Sequence, residues 1–414
     1  MRVLMISEFF PPVMGGLERH VAELSRALAE KGHTVKVLTL GWKGLAPCEE
    51  KNGLEVCRSS GFFQNLGFLY GNKDRRFHPP VPDYILAKRI FGFIKDFEPD
   101  IIHCHGWIVY SVYALKKYLH VPLVVTLHDY GLICPARTLL RGASICDQPF
   151  ASDCPSCARA SLGAYKSRLA YWGIKANKNK AKMVDKFIAV SSFVKEAHLK
   201  YLDLDEGKIS VIPNFYSQAE NETLLEAGFQ LPDEFILFVG TFSSAKGVDV
   251  LVEAYKKLKT DVKLVLIGLK HNNFNVQQDE RIIILENQPH HVVMEAWRRC
   301  RFGVVPSVWP EPFGMVATEA MACGKAVVAS DIGGLKDIVV RGETGLLAPP
   351  GDAEALAEAM QYLLGQPAQA EKMGKKGERR VAQCFNIKRT LQELENVYFE
   401  IANNDQAGEA QEGN

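Results

Sequence analysis

Short apolar runs alternate with longer amphipathic ones along most of this chain. Residues 3–7, 35–40, 54–58, 101–105, 123–127 and 187–190 are apolar runs of strand length. Runs without polar alternation predict strands buried on both faces, as in a parallel sheet. Between the first two, Leu17, Val21, Leu24 and Leu28 recur at helical spacing, and 85–97 predicts a second helix. Strands alternating with helices imply a parallel α/β sheet. The same rhythm resumes at 235–239 and continues through 263–267, 282–285, 302–306 and 326–330, with helical stretches at 352–364, 369–383 and 387–401. Between the two series, 216–232 is polar and has no strand period, so it reads as a linker. The expected organisation is a first domain over 1–215, a second over 233–385, a helix over 386–403, and a polar, disordered tail over 404–414. A chain of 414 residues exceeds what one ordinary core serves, so two domains fit its length.

Composition narrows the class. Apolar content of 47% and charged content of 23% are globular values. A net charge of +1 leaves no footprint for nucleic acid. No apolar run reaches the roughly 18 residues of a membrane span. The opening MRVLMISEFFPP meets Glu8 and two prolines too early for a secretory signal and reads as a first strand. The chain is therefore expected in the cytoplasm, with most of its ten cysteines reduced.

The richest chemistry lies between Phe302 and Gly334. Pro306-Ser307 ends a buried strand, because proline removes a donor and fixes the turn. A loop then presents Glu311, Phe313 and Gly314 follow, and a helix begins near Met315 with Glu319 in its first turns. The free N–H groups near Gly314, Met315 and Val316 suit a phosphate, and a carboxylate accepts hydrogen bonds from paired hydroxyls. One acid can hold a sugar and the other a ribose, with a diphosphate between them. The alternative from spacing alone is a solvated helix carrying two unrelated acids.

Other candidates stand at strand ends. Gly15 and Gly16 fill a strand–glycine loop–helix turn that fits a phosphate or is simply tight. It is neither a dinucleotide fingerprint nor a P-loop. Lys246 precedes a helix after Gly240, as a diphosphate clamp or an exposed lysine. His128 follows the strand PLVVTL, where it can donate to a sugar oxygen or be a satisfied core residue. His103 and His105 share one strand face and read as cleft or core residues without a metal. Cys134, Cys146, Cys154 and Cys157 are candidate ligands of a structural zinc, or thiols packed in a loop. Residues 162–185 carry Lys166, Arg168, Lys175, Lys178, Lys180 and Lys182, with Tyr165, Leu169, Trp172 and Ala176 near one face. Such a helix lies on an anionic membrane or packs by one face. Asp203-x-Asp205 reads as a solvated turn.

The 304–334 stretch resembles the E-x7-E signature of retaining glycosyltransferases of family 4, which have the GT-B fold. The resemblance runs from Arg2 to about Asn403. Residues 12–21 are similar to the family's P-x-x-G-G-x-E-x-x-V opening, 126–129 to its T-L-H-D segment, and 239–249 to its V-G-R-L-x-x-x-K-G-x-D. It implies two Rossmann-like α/β domains facing across a cleft, with the last helix crossing back to the first, acceptor-side domain. Glu311 would lie by the donor sugar, Glu319 on the ribose, His128 near the sugar, and Lys246, Gly15 and Gly16 at the diphosphate. Thr241 stands where the family has an arginine that grips the diphosphate. Asp337 in GGLKD replaces a glutamate, and cysteines after H-D-x-x-x-x-C-P are similar to some members.

The implied activity is metal-independent, retaining transfer of a hexose from a nucleoside-diphosphate sugar to a hydroxyl acceptor. No cofactor is required. The setting by analogy is cell-surface polysaccharide or lipid-linked glycan assembly, cytoplasmic or at the inner face of the membrane. A sugar-nucleotide 2-epimerase of the same fold and a non-catalytic sugar-nucleotide-binding partner remain as alternatives.

Overall fold

A computed structural model describes residues 1–412 apart from 14, 42–43, 52, 67–69, 71–75, 143, 218–230, 271–274 and 277–278, with side chains to 403. Most of the linker expected at 216–232 lies outside the described residues. The chain divides into two compact units. One comprises Met1–Leu139, Cys146–Pro213 and Ile387–Asn414, and the other Leu140–Ile145 and Asn214–Asn386.

The chain's first ten strands are β1 (Arg2–Ser7), β2 (Thr34–Leu40), β3 (Cys48–Lys51), β4 (Leu54–Ser59), β5 (Ile101–His105), β6 (Leu123–Leu127), β7 (Leu140–Arg141), β8 (Ser144–Ile145), β9 (Lys186–Ala189) and β10 (Ile209–Val211). Eight of them form the sheet of the first unit in the order β10-β9-β6-β5-β1-β2-β4-β3, while β7 and β8 pair separately. Every pairing in that sheet is parallel except β3 with β4. The apolar runs predicted these parallel strands because helices cover both faces and leave Val3 to Ile6 fully buried. The edge strand β3 (CEEK) is polar and mostly exposed, so no apolar pattern announced it. Cys48 faces Cys57 across it and the two form a disulfide, while the other eight cysteines are free.

The second unit holds β11 (Phe235–Val239), β12 (Lys263–Gly268), β13 (Ile282–Glu286), β14 (Gly303–Val305), β15 (Val327–Ser330) and β16 (Gly345–Ala348). Its sheet is wholly parallel, in the order β13-β12-β11-β14-β15-β16. Trp297, Phe235, Phe238 and Phe302 fill its core. A Cβ on Gly303 would stand 2.7 Å from the Trp297 ring, so the strand accepts the indole only through a glycine. The strand β16 was not read from the sequence.

In each sheet the strand order reverses beside one central strand. The chain leaves β1 toward β2 and returns on its other side as β5; it leaves β11 toward β12 and returns as β14. A parallel sheet opens a crevice at the carboxyl edge of such a reversal.

The basic stretch 162–185 is not one helix. It consists of Ala164–Asn177 followed by a 3-10 segment, Lys178–Met183. Ser167, Ala170, Tyr171 and Ile174 face inward, whereas Tyr165, Leu169 and Trp172 are exposed. The spacing found a stripe, but the apolar-looking stripe is the outer one. Asp203 caps helix Ser192–Leu202 and pairs with Lys182 at 2.7 Å, as a turn.

The last helix, Ile387–Glu412, belongs to the first unit and continues past Ile401. Leu394, Val397 and Tyr398 are buried. The Tyr398 hydroxyl stands 2.6 Å from His103 Nδ1. Ion pairs Lys31–Glu395 and Lys186–Glu400 flank this contact. Tyr398→Phe strands a buried nitrogen, which costs about 1–3 kcal/mol. The expected result is a lower urea midpoint with unchanged slope; an unchanged midpoint would show that the contact carries no stability.

Candidate active site

In the second unit, the loops after β11 and β14 meet because those strands are neighbours, Leu237 opposite Gly303. The β11 loop ends in a 3-10 turn, Ser244–Lys246, whose amino end Ser243 caps by accepting from the Lys246 N–H. Gly247 follows with φ of 69° and packs against the Pro306 carbonyl. A side chain there would be both strained and without space. Val308 and Trp309 donate their N–H groups to the Ala245 carbonyl, which clamps the two loops together.

The clamp sets Lys246 Nζ 2.5 Å from Glu311 Oε1, and Ser307 Oγ donates to the same oxygen at 2.7 Å. The Glu311 side chain is 8% exposed and that of Lys246 28%. A carboxylate so enclosed needs a charged partner. Lys246 also lies 5.1 Å from the Trp309 ring centroid. Gly333 and Gly334 brace the loop from behind: Gly334 donates to the Glu311 carbonyl at 2.7 Å, and a Cβ on Gly333 would stand 2.5 Å from it. This accounts for the two glycines of GGLKD. The backbone carbonyl of Asp337 accepts from Arg380.

Helix Met315–Ala322 starts at Gly314, whose φ is 116°. Its first N–H groups, at Met315 and Val316, lie within the turn that has no intrahelical acceptors. Phe313 is buried against Phe385, so only its backbone can serve a ligand. Glu319 lies on the same helix, 3.4 Å from His290 Nε2. Thr241 is exposed after β11.

In the first unit, Gly15 and Gly16 begin helix Gly16–Glu30, and a Cβ on Gly16 would meet nothing within 4 Å. Packing therefore does not demand glycine there. At the β1/β5 reversal, Glu8 is buried and accepts from Arg137 at 3.0 Å and from the His78 N–H at 3.2 Å. Burial raises the Glu8 pKa, against the Arg137 charge. Arg137 reaches Asp129 at 3.6 Å and covers the Trp107 ring at 3.9 Å. A cavity beside them is lined by Leu17, Gly106, Trp107, His128, Asp129 and Leu132. His128 Nε2 lies 2.9 Å from His105 Nδ1. Burial pushes both rings well below the ordinary histidine pKa.

Comparison with known proteins identifies the family of the chain. The family model described as Glycosyltransferase Family 4 matches residues 14–219, and that described as Glycosyl transferases group 1 matches 222–380. The chain is a family-4 glycosyltransferase of the GT-B fold. The glycogen synthase of Mycobacterium tuberculosis is 26% identical, over 96% of this chain and 94% of that protein. Among solved structures, sucrose-phosphate synthase from Thermosynechococcus elongatus superposes with a TM-score of 0.69 at 23% identity, covering 97% and 99% of the two chains. The catalytic domain of starch synthase IV from Arabidopsis thaliana, bound to ADP and acarbose, gives 0.70 at 17% identity, covering 97% and 99%. The glycosyltransferase is thus an enzyme that transfers sugar.

The structure brings Lys246 and Glu311 together as one pair, which their separate motifs did not show. Ser307, Trp309, His290, Glu8 and Arg137 were missed. For Ser307 and Trp309, proximity to Glu311 in the chain was the available signal; the others join through tertiary contacts alone. The zinc expectation is corrected. Among the described residues, no three His, Cys, Asp or Glu side chains are placed to hold a metal. Cys154 and Cys157 span one helical turn, with Cys157 exposed while Cys134 and Cys146 are buried. Burial lifts the Cys134 thiol to about 11.

The buried histidines of the transferase give it an acid limit. Burial lowers His20, His78 and His198 to about 4 and His103 to about 3, from the ordinary histidine value of 6.5. Their folded pKa values lie below the unfolded one, so between these values the unfolded chain binds more protons. Stability is fully present above pH 6.5 and is lost as pH falls toward 4. Each site contributes on the order of a few kcal/mol across that window. Urea midpoints should fall between about pH 6.5 and 5, above most carboxylate titration; flat midpoints there would contradict the buried, neutral assignment.

Proposed function

We propose that this enzyme moves a hexose from a nucleoside-diphosphate sugar to a hydroxyl acceptor, with retention at the anomeric carbon. The observation that carries the reading is the Lys246–Glu311–Ser307 constellation beside a helix amino terminus at the strand-order reversal. Lys246 and the N–H groups of Gly314, Met315 and Val316 neutralise the departing diphosphate, where charge develops in the transition state. The chain's own donors then suffice without a metal. Glu311 holds the donor sugar and steadies Lys246, and Glu319 accepts from the ribose hydroxyls. Phe313 contributes backbone only, and Thr241 offers a hydroxyl in place of a cation. In the first unit, Gly15 and Gly16 take a phosphate contact and His128 hydrogen-bonds a sugar oxygen. The anomeric C–O bond to the diphosphate breaks, a C–O bond to the acceptor forms on the same face, and the acceptor proton passes to the leaving phosphate. The glycogen synthase relative and the starch synthase neighbour with bound ADP support a nucleotide-sugar donor and a glycan-building role.

Glu311→Gln keeps the shape and removes the charge. It should lower kcat about a hundredfold or more, measured as nucleoside diphosphate released from UDP-, ADP- or GDP-sugars, with thermal stability checked beside it. Turnover at the wild-type level would refute the assignment.

A membrane surface is proposed as a second partner. Tyr165 is 84% and Trp172 62% exposed, on one face of helix Ala164–Asn177. Between Asp153 and Asp185 the chain has Arg159, Lys166, Arg168, Lys175, Lys178, Lys180 and Lys182 and no acidic residue. Aromatic side chains among cations fit an anionic interface. Among the described residues no helix is long and apolar enough to cross a membrane, so the contact is peripheral. The protein should sediment with phosphatidylglycerol vesicles and not with phosphatidylcholine vesicles, and less so as Trp172→Ala. No sedimentation with either would remove this partner.

A further inference from the structure

β5 ends at His105, and His128 follows β6 directly. These strands run parallel with His105 opposite Thr126, which brings the two imidazoles to one sheet edge. Their centroids lie 5.2 Å apart and one hydrogen bond, 2.9 Å long, joins His105 Nδ1 to His128 Nε2. Burial keeps both rings neutral near neutral pH. Two neutral imidazoles joined in this way share one proton, so one nitrogen donates and the other accepts.

The far side of His105 decides which. Its Nε2 is buried and has no protein partner among the described residues. His103, whose ring centroid lies 4.3 Å away, cannot serve it, because its nitrogens are engaged by Tyr398 at 2.6 Å and Thr126 at 2.7 Å. Were Nε2 protonated, His105 would bury a donor with nothing to receive it. Leaving a lone pair there is the milder defect, since orphaned buried N–H groups are the rarer kind. The proton of His105 therefore sits on Nδ1 and is donated to His128 Nε2. That leaves the proton of His128 on its own Nδ1.

We infer that His105 is a positioning residue that locks His128 into the Nδ1–H tautomer, a fixed neutral donor in the ring that lines the cavity beside Trp107 and Asp129. The lock itself is independent of the proposed reaction; its consequence for catalysis rests on the reading of His128 as a sugar contact. A protonated Nδ1 gives a hydrogen bond to a sugar oxygen and cannot receive the acceptor's proton. The lock thus makes His128 a recognition group and leaves the proton to the departing phosphate.

The test is a long-range 1H–15N spectrum of the full chain labelled with 15N-histidine, with His128 identified by its loss in His128→Gln. The expected spectrum shows His128 with Nδ1 protonated and Nε2 bare at neutral pH. In His105→Phe, His128 should leave that tautomer and kcat should fall while the KM for donor holds. In His105→Gln, whose amide can still donate, both should partly recover. Wild-type His128 carrying its proton on Nε2, or on both nitrogens, overturns the inference whatever the activity and leaves the transferase reading untouched. If His105→Phe does not fold, the wild-type spectrum alone decides. A locked His128 in a protein whose His128→Gln variant turns over normally upholds the lock and removes His128 from the sugar site.

Discussion

In the second unit, β11 pairs with β14 although β12 and β13 lie between them in the chain. That parallel pairing is the constraint on which the site depends. It makes neighbours of the loop that ends in Lys246 and the loop that carries Glu311. Without it, Glu311 would be a carboxylate buried without a cation, which a fold does not tolerate cheaply. The ion pair is thus a product of the sheet, and it in turn holds the two loops in register. Gly247 and Gly333 permit the approach, one against Pro306 and the other against the Glu311 backbone.

The first unit applies the same geometry to different chemistry. Its reversal at β1 and β5 places Glu8 against Gly106, where a Cβ would stand 2.6 Å from the carboxylate. Arg137 neutralises that buried acid and covers Trp107. Beside it, the carboxyl ends of β5 and β6 gather His103, His105 and His128, with His20 packed edge-on to His128 at 5.3 Å. So many rings are placed together by being kept neutral. The cost of charging them inside the sheet edge exceeds that of leaving one nitrogen without a partner. Tyr398 links this cluster to the last helix, so the end of the chain helps to fill the core that its beginning opened.

The stretch 162–185 shows where periodicity misleads. Tyr165, Leu169 and Trp172 do recur on one face, yet the structure packs Ser167, Ala170, Tyr171, Gly173 and Ile174 against the body. Gly173 sits against the Pro80 carbonyl, where no side chain would fit. Close approach to a neighbouring backbone requires the glycine on that face, and Tyr165 and Trp172 are left to solvent.

Much of the architecture was legible because its signals are local. Strands buried on both faces are apolar throughout, so β1, β2, β5, β6, β11 and β12 stood out, whereas the polar edge β3 carried no such mark. Glu311, Glu319, Lys246 and His128 could each be placed at a strand end or helix start from chemistry beside them in the chain. What the sequence determined by itself was therefore the alternating α/β class and the positions of these side chains along it. Tertiary structure alone decided which of them meet: Lys246 with Glu311, His105 with His128, Glu8 with Arg137, Cys48 with Cys57. It also decided that, among the described residues, no three of the loop cysteines are placed to hold a metal. The physical reason is that these contacts join residues on different strands and loops. Strand order sets their distances, and strand order is fixed by the packing of the whole sheet and leaves no trace in the spacing of any one segment.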